Sequence, residues 1–101
     1  MDFKVEVTRT AHNDLSRAVA YLAGVLQSPQ AARTLLLEFQ VCTERLEHMP
    51  ASPPLCTDAH LAARGYRKMR CKDYLLLFRI EQGTVYVMHL FHQTQNYAAL
   101  V

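Results

Sequence analysis

Glycine is scarce in this chain: Gly24, Gly65 and Gly83 stand alone, so no glycine-rich loop is available to cradle a phosphate or a dinucleotide. Cysteine offers no framework either. Cys42, Cys56 and Cys71 are odd in number and form no CxxC pair, which argues against a disulfide scaffold and a zinc knuckle and leaves reduced thiols. No apolar run approaches the roughly 18–20 residues that a membrane helix needs, and Met1 leads straight into a strand-like segment. Neither a span nor a signal peptide is expected, and the expected location is cytoplasmic. No Ser or Cys lies in a nucleophile motif, no carboxylate pair stands out, and no repeat, low-complexity tract or linker interrupts the chain. Nothing calls for a cofactor.

What is present is apolar. Half of the 101 residues are hydrophobic, enough for one compact core and too short a chain for a second, so residues 1–101 read as a single domain. Charge is unevenly spread. Between Arg64 and Arg79 stand Arg64, Arg67, Lys68, Arg70, Lys72 and Arg79 against the single acid Asp73, a local +5 in a chain whose net charge is +2. Such a concentration suits a polyanion or an acidic partner.

Periodicity then places this charge on a fold. Phe3–Thr8 alternates as a half-buried strand does. Thr10 can cap a helix with Asp14 in its first turn, and Ala11, Leu15, Ala18, Val19, Leu22, Val25 and Leu26 form one apolar stripe ending near Gln27. Ser28-Pro29 stops this helix and starts the next, whose stripe runs Ala32, Leu35, Leu36, Phe39, Cys42, Leu46 and Met49 up to Pro50. A helical hairpin results. Residues 50–64 read as a long surface loop with one helical turn at Ala59–Ala63. Tyr66–Cys71, Tyr74–Glu81 and Thr84–Phe91 then read as a three-strand meander with two-residue turns at Lys72-Asp73 and Gln82-Gly83. The expected fold is α+β, in the order β-α-α-β-β-β, with the helical hairpin packed on one face of a small, mainly antiparallel sheet and the other face open for a site.

The basic strand has two readings. Alternation puts Lys68 and Arg70 on the face of Tyr66, and Arg67 on the opposite face with Met69 and Cys71. Lysine and arginine protect an edge strand from aggregation, and they also bind phosphate or carboxylate. Arg79, set in the apolar strand Leu75–Ile80, needs a cleft or a partner such as Glu81. His89 and His92, three apart on a strand, face opposite ways and cannot chelate one metal ion unless a bulge intervenes. His92 alone, at the strand end, has the chemistry of a general acid or base.

These pieces together resemble the RelE/ParE superfamily of type II toxin–antitoxin toxins. The resemblance is carried by Thr8-Arg9-Thr10-Ala11, Asp14-Leu15, Tyr21-Leu22, Ala31, Leu46 and Pro50. It continues through Gly65-Tyr66-Arg67, Asp73-Tyr74-Leu75, Phe78-Arg79-Ile80 and His92…Gln95-Asn96-Tyr97. It implies a partner, the cognate antitoxin, and one of two targets: ribosome-bound mRNA, which RelE-like members cut, or DNA gyrase, which ParE-like members inhibit. A homodimer and a hetero-oligomer with the antitoxin are both open. Carried over by residue, Arg67, His92 and, approximately, Tyr97 match catalytic positions of the ribonucleases; the charge pattern itself makes Lys68, Arg70, Lys72 and Arg79 the expected nucleic-acid or partner contacts. Two positions depart from the ribonucleases. Leu75 stands where they keep an Arg, and Met69 occupies a second basic position, so Tyr74–Arg79 is closer to the ParE-like pattern. A chain that keeps the fold and only binds an antitoxin is the remaining alternative.

Overall fold

The computed structural model describes residues 2–101, so Met1 lies outside it. Strand β1 (Lys4–Val7) leads into helix α1 (Arg9–Ala20), which continues as a π-helical turn over Tyr21–Val25. The cap is Thr8 rather than Thr10. Its hydroxyl oxygen accepts the Ala11 N–H at 3.2 Å and donates to the Val87 carbonyl at 2.9 Å. Thr8 thus starts the helix and ties it to the sheet at once, a long-range preference that local sequence does not reveal. The wider π turn ends with the Leu26 and Ser28 N–H groups on the carbonyls of Tyr21 and Leu22 and with Gln27 at φ 50°.

Helix α2 (Pro29–His48) starts as expected, with the Ser28 hydroxyl accepting the Ala31 N–H at 3.3 Å and Pro29 in the first turn. Its buried stripe is Ala32, Leu35, Phe39, Cys42 and Leu46. Leu36 and Met49, assigned to that stripe from their spacing, are instead exposed. The loop that follows contains the short helix α3 (Ala59–Ala63), capped by the Asp58 carboxylate on the Leu61 N–H at 3.0 Å. Strands β2 (Arg67–Cys71), β3 (Tyr74–Glu81) and β4 (Thr84–His92) form the meander, and a last turn of helix, α4 (Tyr97–Leu100), follows it.

The sheet order is β1-β4-β3-β2, with β1 parallel to β4 and the other pairs antiparallel. A parallel pairing needs a long crossover, and the helical hairpin supplies it. The β3–β4 turn places Gln82 and Gly83 at φ 48° and 82°, the left-handed pair of a type I′ hairpin. One irregularity matters. Leu77 faces His89 but Phe78 faces Val87, so Met88 is an extra residue bulging out of β4.

Two clusters sit on the two faces of the sheet. Between sheet and helices lie Leu15, Leu35, Phe39, Leu46, Leu76, Phe78, Val85, Val87 and Leu90, with the paired thiols of Cys42 and Cys71. The neighbouring Cys42 thiol, and burial after it, hold the Cys71 thiol far above its usual range, while the interaction with Cys71 lowers Cys42. Both are buried core groups, as is Cys56 in the second cluster. That second cluster overturns one expectation. The far face is not open: Cys56, Leu61, Tyr66, Leu77 and Phe91 are buried there, with Met88, Tyr97, Ala98 and Val101 against them. The loop with α3 and the terminal α4 close over it.

Candidate functional site

Strand alternation decides which side chains meet. On β2, Lys68 pairs with Leu77 and Arg70 with Leu75, so both point away from the helical hairpin, as does Arg79 on β3 opposite Tyr86. Tyr66 anchors this outer face. The Arg64 and Arg79 guanidinium carbons lie 5.5 and 5.6 Å from its ring centroid, and His89 lies 6.4 Å from it. His89 in turn stacks on Phe91 at 5.3 Å and 13°. The Lys68 ammonium donates to the Tyr97 hydroxyl at 3.4 Å and sits 5.7 Å from that ring. Arg70 reaches Gln93 Oε1 and the Lys72 carbonyl, each at 3.0 Å. Lys72, at φ 60°, stands exposed in the turn. The result is a row of aromatic rings edged by Arg64, Arg79, Lys68 and Arg70, a surface that offers donors and positive charge to an acidic partner.

Among the described residues one ion pair touches this row of cations. Arg79 meets Glu81 at 3.7 Å, a partly exposed pair that leaves most guanidinium donors free. Burial pushes the His89 imidazole below its ordinary value, against the opposing field of Asp14, so this ring is neutral at neutral pH. Cys56 is raised by burial, with Lys68 pulling the other way.

His92 and Arg67 lie elsewhere. His92 faces the helices, edge-on to Tyr74 at 5.2 Å. Its Nδ1 accepts the Thr94 N–H at 3.2 Å and lies 2.8 Å from the Thr94 hydroxyl. Arg67 sits at the opposite end of β2, donating to the carbonyls of Pro53 at 2.8 Å and Ala51 at 3.3 Å. Leu55 bridges to the same residue. Arg67 therefore clamps the loop that precedes α3. The bulge at Met88 falls before both histidines and leaves His89 and His92 on opposite faces. Among the described residues no three His, Cys, Asp or Glu side chains gather as a metal site.

The cleft beside His92 has a clear origin. β1 ends at Val7, so β4 beyond Val87 has no neighbouring strand on that side. Its outward N–H groups find side chains instead: Leu90 N–H donates to Asp14 Oδ2 at 3.1 Å and His92 N–H to Gln95 Oε1 at 2.8 Å. Between this edge and α1 lies a cavity of about 560 Å³ lined by Asp14, Arg17, Tyr21, Leu22, Tyr74, His92 and Gln95 among others. Burial, then Asp73 and Tyr21, raise the Tyr74 phenol. Sequence reading missed Asp14 as an edge cap and His89 and Tyr66 as the centre of the outer face. Asp14 among the apolar spacings of α1 was the one local signal, since a carboxylate there must find donors.

A helical hairpin on one face of a β1-β4-β3-β2 sheet is the architecture of the RelE/ParE toxins, and solved structures bear this out. The chromosomal ParDE system of P. aeruginosa superposes with a TM-score of 0.73 at 15% identity, covering 89% of this chain and 95% of that one. The RelBE2 toxin–antitoxin complex of Mycobacterium tuberculosis gives 0.57 at 23% identity, over 91% and 99%. YafQ from E. coli strain BL21(DE3) gives 0.50 at 16%, over 97% of each chain. Among curated protein sequences none matches. The family model described as the ParE toxin of the type II toxin–antitoxin system, parDE, matches residues 5–97, and the chain belongs to that family. Among the described residues no helix is long and apolar enough to cross a membrane.

Proposed function

We propose that this ParE-family toxin arrests growth by binding DNA gyrase through its outer cationic face, performs no bond-breaking chemistry of its own, and is neutralised by a cognate antitoxin. One observation carries the reading: Arg67, His92 and Tyr97, the trio expected of a ribonuclease, are dispersed. Arg67 holds a loop at one end of the sheet, His92 faces the helices at the other, and Tyr97 packs on the outer face with Lys68. An acid, a base and a cation that do not converge on one phosphate cannot share a proton-transfer step. Lys68, Arg70 and Arg79 instead share the outer face of the sheet, and with Lys72 at the margin they are the contacts assigned to the target.

A second reading, cleavage of ribosome-bound mRNA, is favoured by one contact: Lys68, Tyr97 and His89 put an ammonium, a phenol and an imidazole on a single face. The antitoxin is assigned the cleft beside His92 and the acidic complement of the cationic face. The test is one set of assays on the purified chain, comprising gyrase supercoiling, cleavage of mRNA on translating ribosomes, and thermal midpoint with the antitoxin encoded beside it. Inhibited supercoiling with intact mRNA is expected. Cleaved mRNA with normal supercoiling would reverse the choice of target, and neither effect together with a raised midpoint would reduce the chain to an antitoxin-binding module.

A further inference from the structure

The outward side of α2 has no function in the fold, yet it is not a solvated polar surface. Taking 100° per residue, Leu37 lies directly opposite the buried stripe, and Arg33, Val41 and Glu44 fall within about half a right angle of it. All four are exposed, Leu37 at 58% and Val41 at 46%. Two apolar side chains in succession on the outermost line of a helix lower solubility without packing against anything. Among the described residues Arg33 has no carboxylate within ion-pair distance, and Glu44 has only a long 3.5 Å contact from the Gln40 amide.

We infer that this stripe is an isologous interface for a second copy of the chain, two α2 helices packing antiparallel about a two-fold axis at the level of Glu38 and Phe39. The charge order identifies the occupant. Reading along the helix, the stripe runs cation, Leu, Val, anion, and a copy turned end for end presents anion, Val, Leu, cation. Arg33 then meets Glu44 of the other copy at both ends, with the leucines and valines between them. The two ion pairs stand about 16 Å apart at 1.5 Å rise per residue, a spacing that frames the apolar centre. The helix is anchored for the task, because Leu35, Phe39 and Leu46 are rooted in the core on its other side. So small a patch makes a weak, concentration-dependent dimer rather than an obligate one. Neither the cationic outer face nor the cleft beside His92 is covered by it.

Sedimentation equilibrium of the purified chain from micromolar to millimolar concentration reads the association directly. A rise from one to two copies is expected, weakened by salt. Arg33→Glu and Glu44→Arg, each placing like charges at both ends, should weaken dimerisation about tenfold or more. The double swap Arg33→Glu with Glu44→Arg restores the pairing in reverse and should return it to within about threefold of the original. Leu37→Glu should leave a monomer with an unchanged thermal midpoint, because none of these side chains supports the core. A chain monomeric at every concentration overturns the inference, and so does a double variant as weak as the singles. Stripe amides protected from exchange only by added antitoxin would likewise assign the face to that partner instead.

Discussion

The two faces of the sheet are closed by different means. On the helix side a 20-residue helix and α1 lay continuous stripes of Leu, Phe and Ala over Leu76, Phe78, Val85 and Val87. On the outer side a five-residue helix, a four-residue helix and a loop cover Leu77, Tyr66 and Phe91, and arginines and lysines replace the aliphatic margin. Leu76, Leu77 and Phe78 are adjacent in β3 and all fully buried, so the difference lies in what covers them. Long amphipathic helices bury area cooperatively, whereas short elements leave cations and rings at the surface, where a partner can reach them. On the function proposed above, stability and recognition lie on opposite sides of the same strands.

The sharpest way to break this division is at the helix face. Phe78→Ala should cost about 3–5 kcal/mol and bring the midpoint of urea unfolding down accordingly, since a fully buried ring is replaced by a cavity. A cost below about 1 kcal/mol would mean that the helix-face core does not carry the fold. The complementary change is Lys68, Arg70 and Arg79 all to Ala, which should abolish growth arrest while shifting unfolding by about 1 kcal/mol or less, because these are exposed or rim contacts. Persistent arrest by a well-folded triple variant would remove the outer face from the target site.

Arg67 separates the two roles more finely. Arg67→Ala should destabilise by about 1–2 kcal/mol through loss of two charge-assisted bonds to the Pro53 and Ala51 carbonyls, with arrest per folded molecule unchanged. A loss of arrest with normal stability would return Arg67 to the site. The smallest expected effect is a pH slope. Because burial lowers the His89 value from the ordinary 6.5, the unfolded chain binds the proton first as pH falls. The stability tied to neutral His89 is full above that ordinary value and is lost as pH drops through it to the depressed folded-state value. His89→Gln should flatten this part of the pH–stability curve, and an unaltered slope would show that the ring is not desolvated.

Much of the architecture was legible because its signals are local. Ser28-Pro29 announces a cap whatever lies nearby, the two hairpin turns sit where Lys72-Asp73 and Gln82-Gly83 stand, and β3 falls on Tyr74–Glu81 as its composition implies. The helix cap at Thr8 was not legible, since Thr10 is equally able locally and the choice was made by the Val87 carbonyl far along the chain. Nor was the covering of the outer face. α3 and α4 are too short to have a periodicity that points anywhere, and only the space left beside Leu77 and Phe91 gave them a place to dock.

The candidate site divides in the same way. Residue type and strand alternation placed Lys68 and Arg70 together and set Arg67 apart, because the two-residue period of a strand is a property of the backbone alone. That Arg67 would be spent on loop carbonyls, that His92 would turn toward Tyr74, and that Tyr66 and His89 would stand at the centre of the cationic face depended on which strands became neighbours and on an extra residue at Met88. The sequence by itself determined the long helices, the strands, their order and the charge they carry, all of which follow from side-chain chemistry over a few residues. Which charges share a surface was decided only in the tertiary structure, since register and bulge arise from contacts between residues far apart in the chain.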